Sequence, residues 1–455
     1  MDADAVVVGL GPGGEQVAEE LAQAGLDVVG IEAELVGGEC PYWGCVPSKM
    51  MVRAADLLAE ARRVPGMAGA AVVTPDWSPV AARIREEATD TWDDTVAVDR
   101  FVGKGGRFVR GRARVRGPMT VEVAGETVTA RHALVLAVGQ RAVVPPLFAD
   151  VPHWTNRGIV AADTVPASLL VVGGGAVGLE FAQVMARFGS RVTMVEAGPR
   201  LAAAEEPEAS ALVEKVLRGE GIDVHTGRAI ERAEPAGVSG VRLTLAGGTV
   251  LEAERLLVAT GRRSDLAGLG VGALGLDEDA ESLPVDGRLR VAPGVWAVGD
   301  VTGKGAFTHV AAFQARHCVA DILGHALPDI DYRAVPRVTF TDPELGAVGL
   351  TEAAARAEDA GVVTVYHEAI DASARGWIHR GEGFVKLIAR DGVLVGATSV
   401  GPTGGEVLGL LVLAVHGRVP LDTLRSMIYA YPTFHRAVDS ALWSPPRSEE
   451  KIAGA

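Results

Sequence analysis

The sequence predicts an α/β protein: two doubly wound units with parallel sheets, then a smaller α+β unit toward the C-terminal end. Three observations carry this. A short apolar strand from Ala5 runs into Gly9-x-Gly11-x-x-Gly14, and a helical stretch follows from Glu15 to Ala24. The same pattern returns at Leu169-Leu170-Val171-Val172, with Gly173-x-Gly175-x-x-Gly178 and then Leu179-Glu180-Phe181-Ala182. From Pro336 the texture changes to short strands mixed with helices. Strands that alternate with helices build parallel sheets, because each crossover helix must cover a face.

Composition narrows the function. The 455 residues allow two to four domains, and 48% hydrophobic residues are ample for several cores. A formal net charge of −15 argues against nucleic acid, whose binding needs a basic surface. Three cysteines are too few for a secreted disulfide scaffold. The first apolar run is a strand entering a glycine loop, not a signal peptide, and no apolar run is long enough to span a bilayer. A cytoplasmic protein is expected, with no membrane and no nucleic-acid partner.

The first glycine loop lies between a strand and a helix, where its backbone can approach a pyrophosphate at a helix N-terminus. The next strand, Leu26 to Ile31, ends at Glu32, a carboxylate able to accept from both ribose hydroxyls. Then comes Gly37-Gly38-Glu39-Cys40-Pro41-Tyr42-Trp43-Gly44-Cys45-Val46-Pro47-Ser48-Lys49. Two cysteines with four residues between them, at the start of a helix, suit a disulfide that opens and closes, because a helix N-terminus favours a thiolate. A structural disulfide or two inert core thiols fit the same residues. Glu39, a carboxylate beside Cys40, is expected to raise the Cys40 thiol pKa.

Met50 to Arg63 continues as helix, and Trp77 to Val98 reads as another long helix. Arg107 to Val128 reads as short strands with turns, and the buried strand Ala133 to Leu136 leads to Gly139. After the second glycine loop, the strand Arg191 to Val195 ends at Glu196. Two dinucleotide folds mean two dinucleotides. A carboxylate at Glu196 accepts from a free 2′-hydroxyl and repels a 2′-phosphate, which favours NADH over NADPH; Arg200 nearby would soften that preference. Further on, Leu256-Leu257-Val258-Ala259-Thr260-Gly261 and Val295-Trp296-Ala297-Val298-Gly299-Asp300 are buried strands ending in glycine. Thr308 opens a helix in which Cys318 reads as a small core residue. In the last unit, Phe384 to Ile388 and Leu394 to Ser399 read as strands, and Val407 to His416 as an apolar helix at an interface.

The cysteine stretch resembles the redox-active segment of the flavin-dependent pyridine nucleotide–disulfide oxidoreductases, in which Gly-Gly-Thr-Cys-x-x-x-x-Gly-Cys-x-Pro-Ser-Lys is the common form. Here Glu39 replaces the Thr. The other motifs occur in family order over nearly the whole chain. The resemblance implies two Rossmann-like dinucleotide-binding domains plus a C-terminal α+β dimerisation domain. It places FAD on residues 1–150 and 263–335, the nicotinamide cofactor on 151–262 and the dimer interface on 336–455. It implies that Gly38, Gly139, Gly261 and Gly299 shape the flavin site and that Asp300 binds the ribityl chain. Lys49 and Glu180 become an ion pair near the flavin. Electrons run from NADH through FAD to a Cys40–Cys45 disulfide, with Cys45 on the flavin side and Cys40 as the interchange sulfur. A homodimer is implied, each active site completed by the partner's C-terminal domain.

The family's proton-handling motif is His-Pro-Thr-x-x-Glu. This chain reads Tyr431-Pro432-Thr433-Phe434-His435-Arg436. A tyrosine titrates near about 10 against roughly 6.5 for histidine, so Tyr431 can donate a proton but rarely holds the basic form near neutrality. His435 would share a helix face with Tyr431 if the segment were helical. Mercuric reductase, which the chain resembles in this Tyr, carries a further cysteine pair at its end; Ser444 to Ala455 holds none. The expected activity is reduction of a small disulfide or other thiol-reactive substrate. The alternatives are an NADH-dependent diaphorase acting on quinones, or a soft-metal reductase of the mercuric type.

Overall fold

A computed structural model describes residues 1–237, 240–358 and 361–447, so the end of the cysteine-free tail lies outside the described residues. The first unit is built on a sheet with strand order 290–292, 295–297, 126–136, 2–8, 28–32 and 107–110. Its central strands are parallel: Val6 pairs with Val29 on one side and Leu134 on the other, and Trp296 pairs with Val135. These strands are rich in β-branched residues and buried on both faces, as parallel strands covered by helices must be. The second unit is a parallel sheet in the order 223–225, 191–195, 168–172 and 255–258, with a three-stranded antiparallel sheet beside it. The two passages between the units run side by side, Arg262 pairing with Ala142 and Arg263 with Arg141. The last unit is a five-stranded antiparallel sheet, 336–339, 344–349, 393–401, 384–390 and 363–369, covered by the helices Gly404–His416 and Arg436–Trp443.

Glycine is required at the crossing of each loop. Gly9 has φ +90, and a Cβ there would lie 2.5 Å from the Ala137 carbonyl oxygen; one on Gly14 would lie 1.9 Å from the Gly9 oxygen. The second loop repeats this. Gly173 has φ +113, and a Cβ on Gly178 would lie 2.1 Å from the Gly173 oxygen.

The long helix expected over Trp77 to Val98 does not form as one element. Helix Ser78–Arg83 widens into a π turn at Ile84–Ala88, and the chain then turns left-handed at Asp90, Thr91 and Trp92 before the helix Thr95–Gly103. The break has a tertiary cause. It carries Trp92 onto Trp43, with ring centroids 5.1 Å apart, and lets its indole N–H reach the Tyr42 carbonyl at 3.3 Å.

Two buried cations tie the units together. Lys386, 2% exposed, lies 2.8 Å from Glu206, 3.0 Å from Glu208 and 2.8 Å from Glu352. Arg187 holds Asp56, Glu220 and Asp342. An apolar cluster runs from Met51 on the cysteine helix through Leu169 and Leu179 to Phe384 and Val400 of the last unit. His367 stacks on Phe384 at 4.9 Å. Burial first, then Arg447 and Lys386 against the opposing pull of Glu208, lowers its pKa to about 4. The unfolded ring titrates near about 6.5, so between these values the unfolded chain binds more protons and stability falls as pH falls. His367→Phe, which keeps a stacking ring, is expected to lose less melting temperature than the native protein between about pH 6.5 and about pH 4.5. Thermal melts at the two pH values check this.

Candidate active site

The glycine loop of the first unit, the cysteine segment and the 298–309 turn enclose a cleft of about 1080 Å³. Gly9, Gly11, Gly14, Glu32, Gly38, Cys40, Cys45, Lys49, Gly139, Gly175, Glu180, Gly261, Gly299 and Asp300 all line it, although they come from positions nearly 300 residues apart. It exceeds the ordinary range for small-ligand pockets, roughly 300–1,000 Å³.

Glu32 and Glu196 occupy equivalent places in the two repeats. Glu32 accepts the Leu10 N–H at 2.7 Å and the Glu34 N–H at 2.8 Å. Glu196 accepts the N–H groups of Gly174 and Gly198, both at 2.6 Å. Each carboxylate fixes its glycine loop yet keeps lone pairs for a ribose. Arg200 turns away from Glu196: its guanidinium donates to the Ala202 and Ala203 carbonyls and to the Ser210 hydroxyl.

Cys40 sits in the one-turn helix Glu39–Tyr42, and Cys45 is the first residue of the helix Cys45–Arg63. Both are free thiols on the wall of the cleft. The Cys40 thiol, opposed by burial and reinforced by Thr308 and the Lys49 ammonium, brings the pKa of Cys45 down to about 6. Thr308 Oγ1 lies 3.3 Å from the Cys45 sulfur. The Cys45 sulfur in turn, with burial, pushes the Cys40 thiol up. The expected rise at Cys40 therefore has a different cause from the expected one: Glu39 is occupied elsewhere. Arg157 Nε donates to it at 2.8 Å and Asn156 Nδ2 at 3.0 Å.

Lys49 Nζ donates to Glu180 Oε2 at 2.6 Å and lies 4.6 Å from the Phe340 ring centroid. Glu180 Oε1 accepts the Phe340 N–H at 2.9 Å, so the carboxylate cannot swing away. Asp300 lies 3.2 Å from Arg262; burial nevertheless raises its pKa, with Glu39 adding to the rise. The cleft fits a flavin dinucleotide by its own features: a glycine crossing with no room for a side chain, spare lone pairs on Glu32 and a carboxyl at Asp300.

Tyr431 and His435 do not join this group. Tyr431 is 73% exposed on the last unit, and neither residue lines the cleft of its own chain. Residues 431–435 form a turn with a cis Tyr431–Pro432 bond, and the helix starts at Arg436. The shared helix face considered for Tyr431 and His435 does not exist. Arg436 instead lies over the Tyr431 ring, 6.0 Å from its centroid. Sequence reasoning also missed Asn156, Arg157 and Thr308 as partners of the cysteine segment. No motif marks the first two; Thr308 was visible as a helix start but not as a neighbour of Cys45.

Two dinucleotide folds facing one cleft with a thiol pair at its mouth define a nucleotide-dependent dithiol–disulfide oxidoreductase. Residues 3–315 match the family model "Pyridine nucleotide-disulphide oxidoreductase", and residues 335–442 match that family's dimerisation domain. The chain belongs to the pyridine nucleotide–disulfide oxidoreductases, flavoenzymes that use FAD and NAD(P)H. It is 33% identical to a dihydrolipoyl dehydrogenase of Haloferax volcanii, over 96% of this chain and 94% of the relative. It is 34% identical to a mercuric reductase of Streptomyces lividans, over 96% and 95%. Among solved structures, LpdA of Mycobacterium tuberculosis superposes with a TM-score of 0.83 at 26% identity, covering 96% of this chain and 98% of that one. The Cu(II) complex of RclA, an HOCl-induced flavoprotein disulfide reductase of Escherichia coli, superposes with a TM-score of 0.85 at 25% identity, covering 97% and 99%. No helix among the described residues is long and apolar enough to cross a membrane.

Proposed function

We propose that the protein is an NADH-dependent flavoenzyme that reduces a small disulfide through Cys40 and Cys45. The observation that carries this reading is the pair of free thiols, Cys40 and Cys45, on the wall of the cleft, with Thr308 Oγ1 3.3 Å from the Cys45 sulfur and Lys49 one turn further along the Cys45 helix. Bound FAD supplies the hydride chemistry that links nicotinamide to sulfur, which no side chain here can perform. The chain's own groups handle the proton. Cys45 Sγ takes the Cys40 proton as Cys40 attacks one substrate sulfur. A mixed disulfide forms, and the leaving thiolate takes the proton from Cys45. Cys45 then attacks the Cys40 sulfur, closing the disulfide and releasing the second thiolate. A pair that exchanges its own proton lessens the need for a histidine base, consistent with Tyr431 at that position. Thr308, Lys49 and the N-terminus of the helix Cys45–Arg63 favour the anion on Cys45. Lys49 and Glu180 would hold the flavin ring, and Asp300 would hold the ribityl chain.

In this reading Tyr431 and His435 act from a second copy of the chain. The last unit exposes Leu413, Ile428, Tyr431 and Trp443, side chains that a partner would cover. The test is anaerobic reduction with NADH, followed by alkylation and peptide mapping. Label on Cys40 and Cys45 that requires NADH supports the sulfur exit; bleaching of the flavin with neither sulfur labelled sinks it. A second reading is a soft metal ion as electron acceptor, favoured by two free thiols at the cleft. NADH oxidation driven by mercuric or cupric ion, absent with disulfides, would choose it.

The coenzyme preference rests on Glu196, with Arg200 committed elsewhere. Glu196→Gln keeps an acceptor oxygen for one of the two loop N–H groups and removes the charge. It is expected to raise the ratio of kcat/KM for NADPH to that for NADH by at least about tenfold, the kinetic equivalent of about 1.4 kcal/mol. Steady-state kinetics with both coenzymes check this; an unchanged ratio removes Glu196 from the account.

A further inference from the structure

Arg157 belongs to the second unit. Its helix, Asn156–Val160, is anchored there by Trp154, which bonds to the Leu256 carbonyl at 2.7 Å and accepts the Val258 N–H at 2.8 Å. Its guanidinium nevertheless reaches across the cleft to the first unit. It lies 2.7 Å from Glu34 and donates to Glu39. It also lies over Trp43, 5.6 Å from the ring centroid. Asn156 braces the same place, donating to Glu39 and to the Trp43 carbonyl, both at 3.0 Å.

Glu39 needs such a partner. It follows Gly38, whose backbone is packed so tightly on the first glycine loop that a Cβ would lie 2.7 Å from the Gly11 Cα. An unpaired carboxylate there stands beside the loop and helix N-terminus suited to a diphosphate, and its charge already reaches Asp300 inside the cleft. The Glu39 side chain is 36% exposed, so water screens but does not cancel the repulsion between like charges on this wall. The common family residue at this position, threonine, carries no such charge.

We propose that Arg157 is a positioning residue for the flavin dinucleotide: it straps the cleft from the second unit and neutralises Glu39, so that the diphosphate can be held. This rests on the flavin reading of the cleft. Loss of the strap alone leaves Glu39 exposed to the cofactor, whereas loss of both charges restores a neutral wall.

The experiment measures FAD affinity of the full-length apoprotein by flavin fluorescence titration, for the native chain, Arg157→Gln, Glu39→Gln and the double variant. The expected result is a Kd raised about 10- to 100-fold by Arg157→Gln, little changed by Glu39→Gln, and returned to within about threefold of native in the double variant. A structural defect at Arg157 would not be cured by removing the opposite charge, so failure of the double variant to recover overturns the proposal. So does unchanged affinity in Arg157→Gln. If the native chain takes up no flavin, the flavin reading itself is what has failed.

Discussion

Cys40→Ser is expected to lower turnover of a disulfide substrate by at least about 10³-fold, because a serine hydroxyl can neither form the mixed disulfide nor be displaced from it. Reduction of a quinone by NADH is expected to stay within about threefold of the native rate, since electrons leaving the flavin directly need no sulfur. The two assays run on one preparation separate the disulfide reading from the diaphorase reading. If disulfide turnover survives the substitution, Cys40 is not the interchange sulfur. The same variant reports on Cys45. What lowers its pKa is first the Cys40 thiol, with Thr308 and Lys49 in support. In Cys40→Ser the hydroxyl is a shorter donor, so the Cys45 thiolate is expected to persist but to titrate at higher pH than in the native dithiol. Thiolate absorbance against pH in the reduced apoprotein measures it.

Arg187→Leu is expected to destabilise the protein by about 3–5 kcal/mol, the usual cost of removing one partner from a buried ionic cluster. Arg187 is 2% exposed and is held at 2.7 Å by Asp56, 2.7 Å by Glu220 and 2.9 Å by Asp342. Burial alone pushes both Asp56 and Asp342 up. At Asp342, Arg187 and Arg63 outweigh it and hold the carboxyl down, whereas Asp56 still rises to about 6. Without the guanidinium these acids face one another around a hole. They must then bind protons in the fold more readily than in the unfolded chain. The deficit should therefore shrink as pH falls from about 7.5 toward about 5, since protonation removes the stranded charge. Arg187→Lys should fall between, because one ammonium cannot bridge three carboxylates in the way a planar fork does. Denaturant melts at fixed protein and flavin concentration check both claims. A loss below about 1 kcal/mol would mean that the acids find other partners.

The network explains why such a change would reach the site. Asp56 lies on the helix whose first residue is Cys45, Arg187 ends the helix that carries Glu180, and Asp342 belongs to the strand-rich last unit. The cluster therefore ties the helix of Cys45 and Lys49 to the helix of Glu180.

What could be read from the chain was whatever a few consecutive residues dictate. Gly9 and Gly173 are glycine because the turn needs a positive φ there, Gly14 and Gly178 because a Cβ would strike the carbonyl of Gly9 or Gly173 in the same turn, and the strands before them are β-branched because both faces are covered. Such short-range constraints leave a local signature, so the two repeats, the third unit and the family were legible. The break at Asp90–Trp92 was not, because its stabilising contacts lie on Tyr42 and Trp43, about 50 residues earlier. Arg157 opposite Glu39, Arg187 beside Asp56 and Asp342, and Thr308 beside Cys45 are likewise pairings across more than 100 residues. An arginine in a soluble helix looks the same in sequence whether water or a carboxylate meets it. Only the packing of the units decides which, because the cost of burying a charge makes the partner obligatory only once burial has occurred.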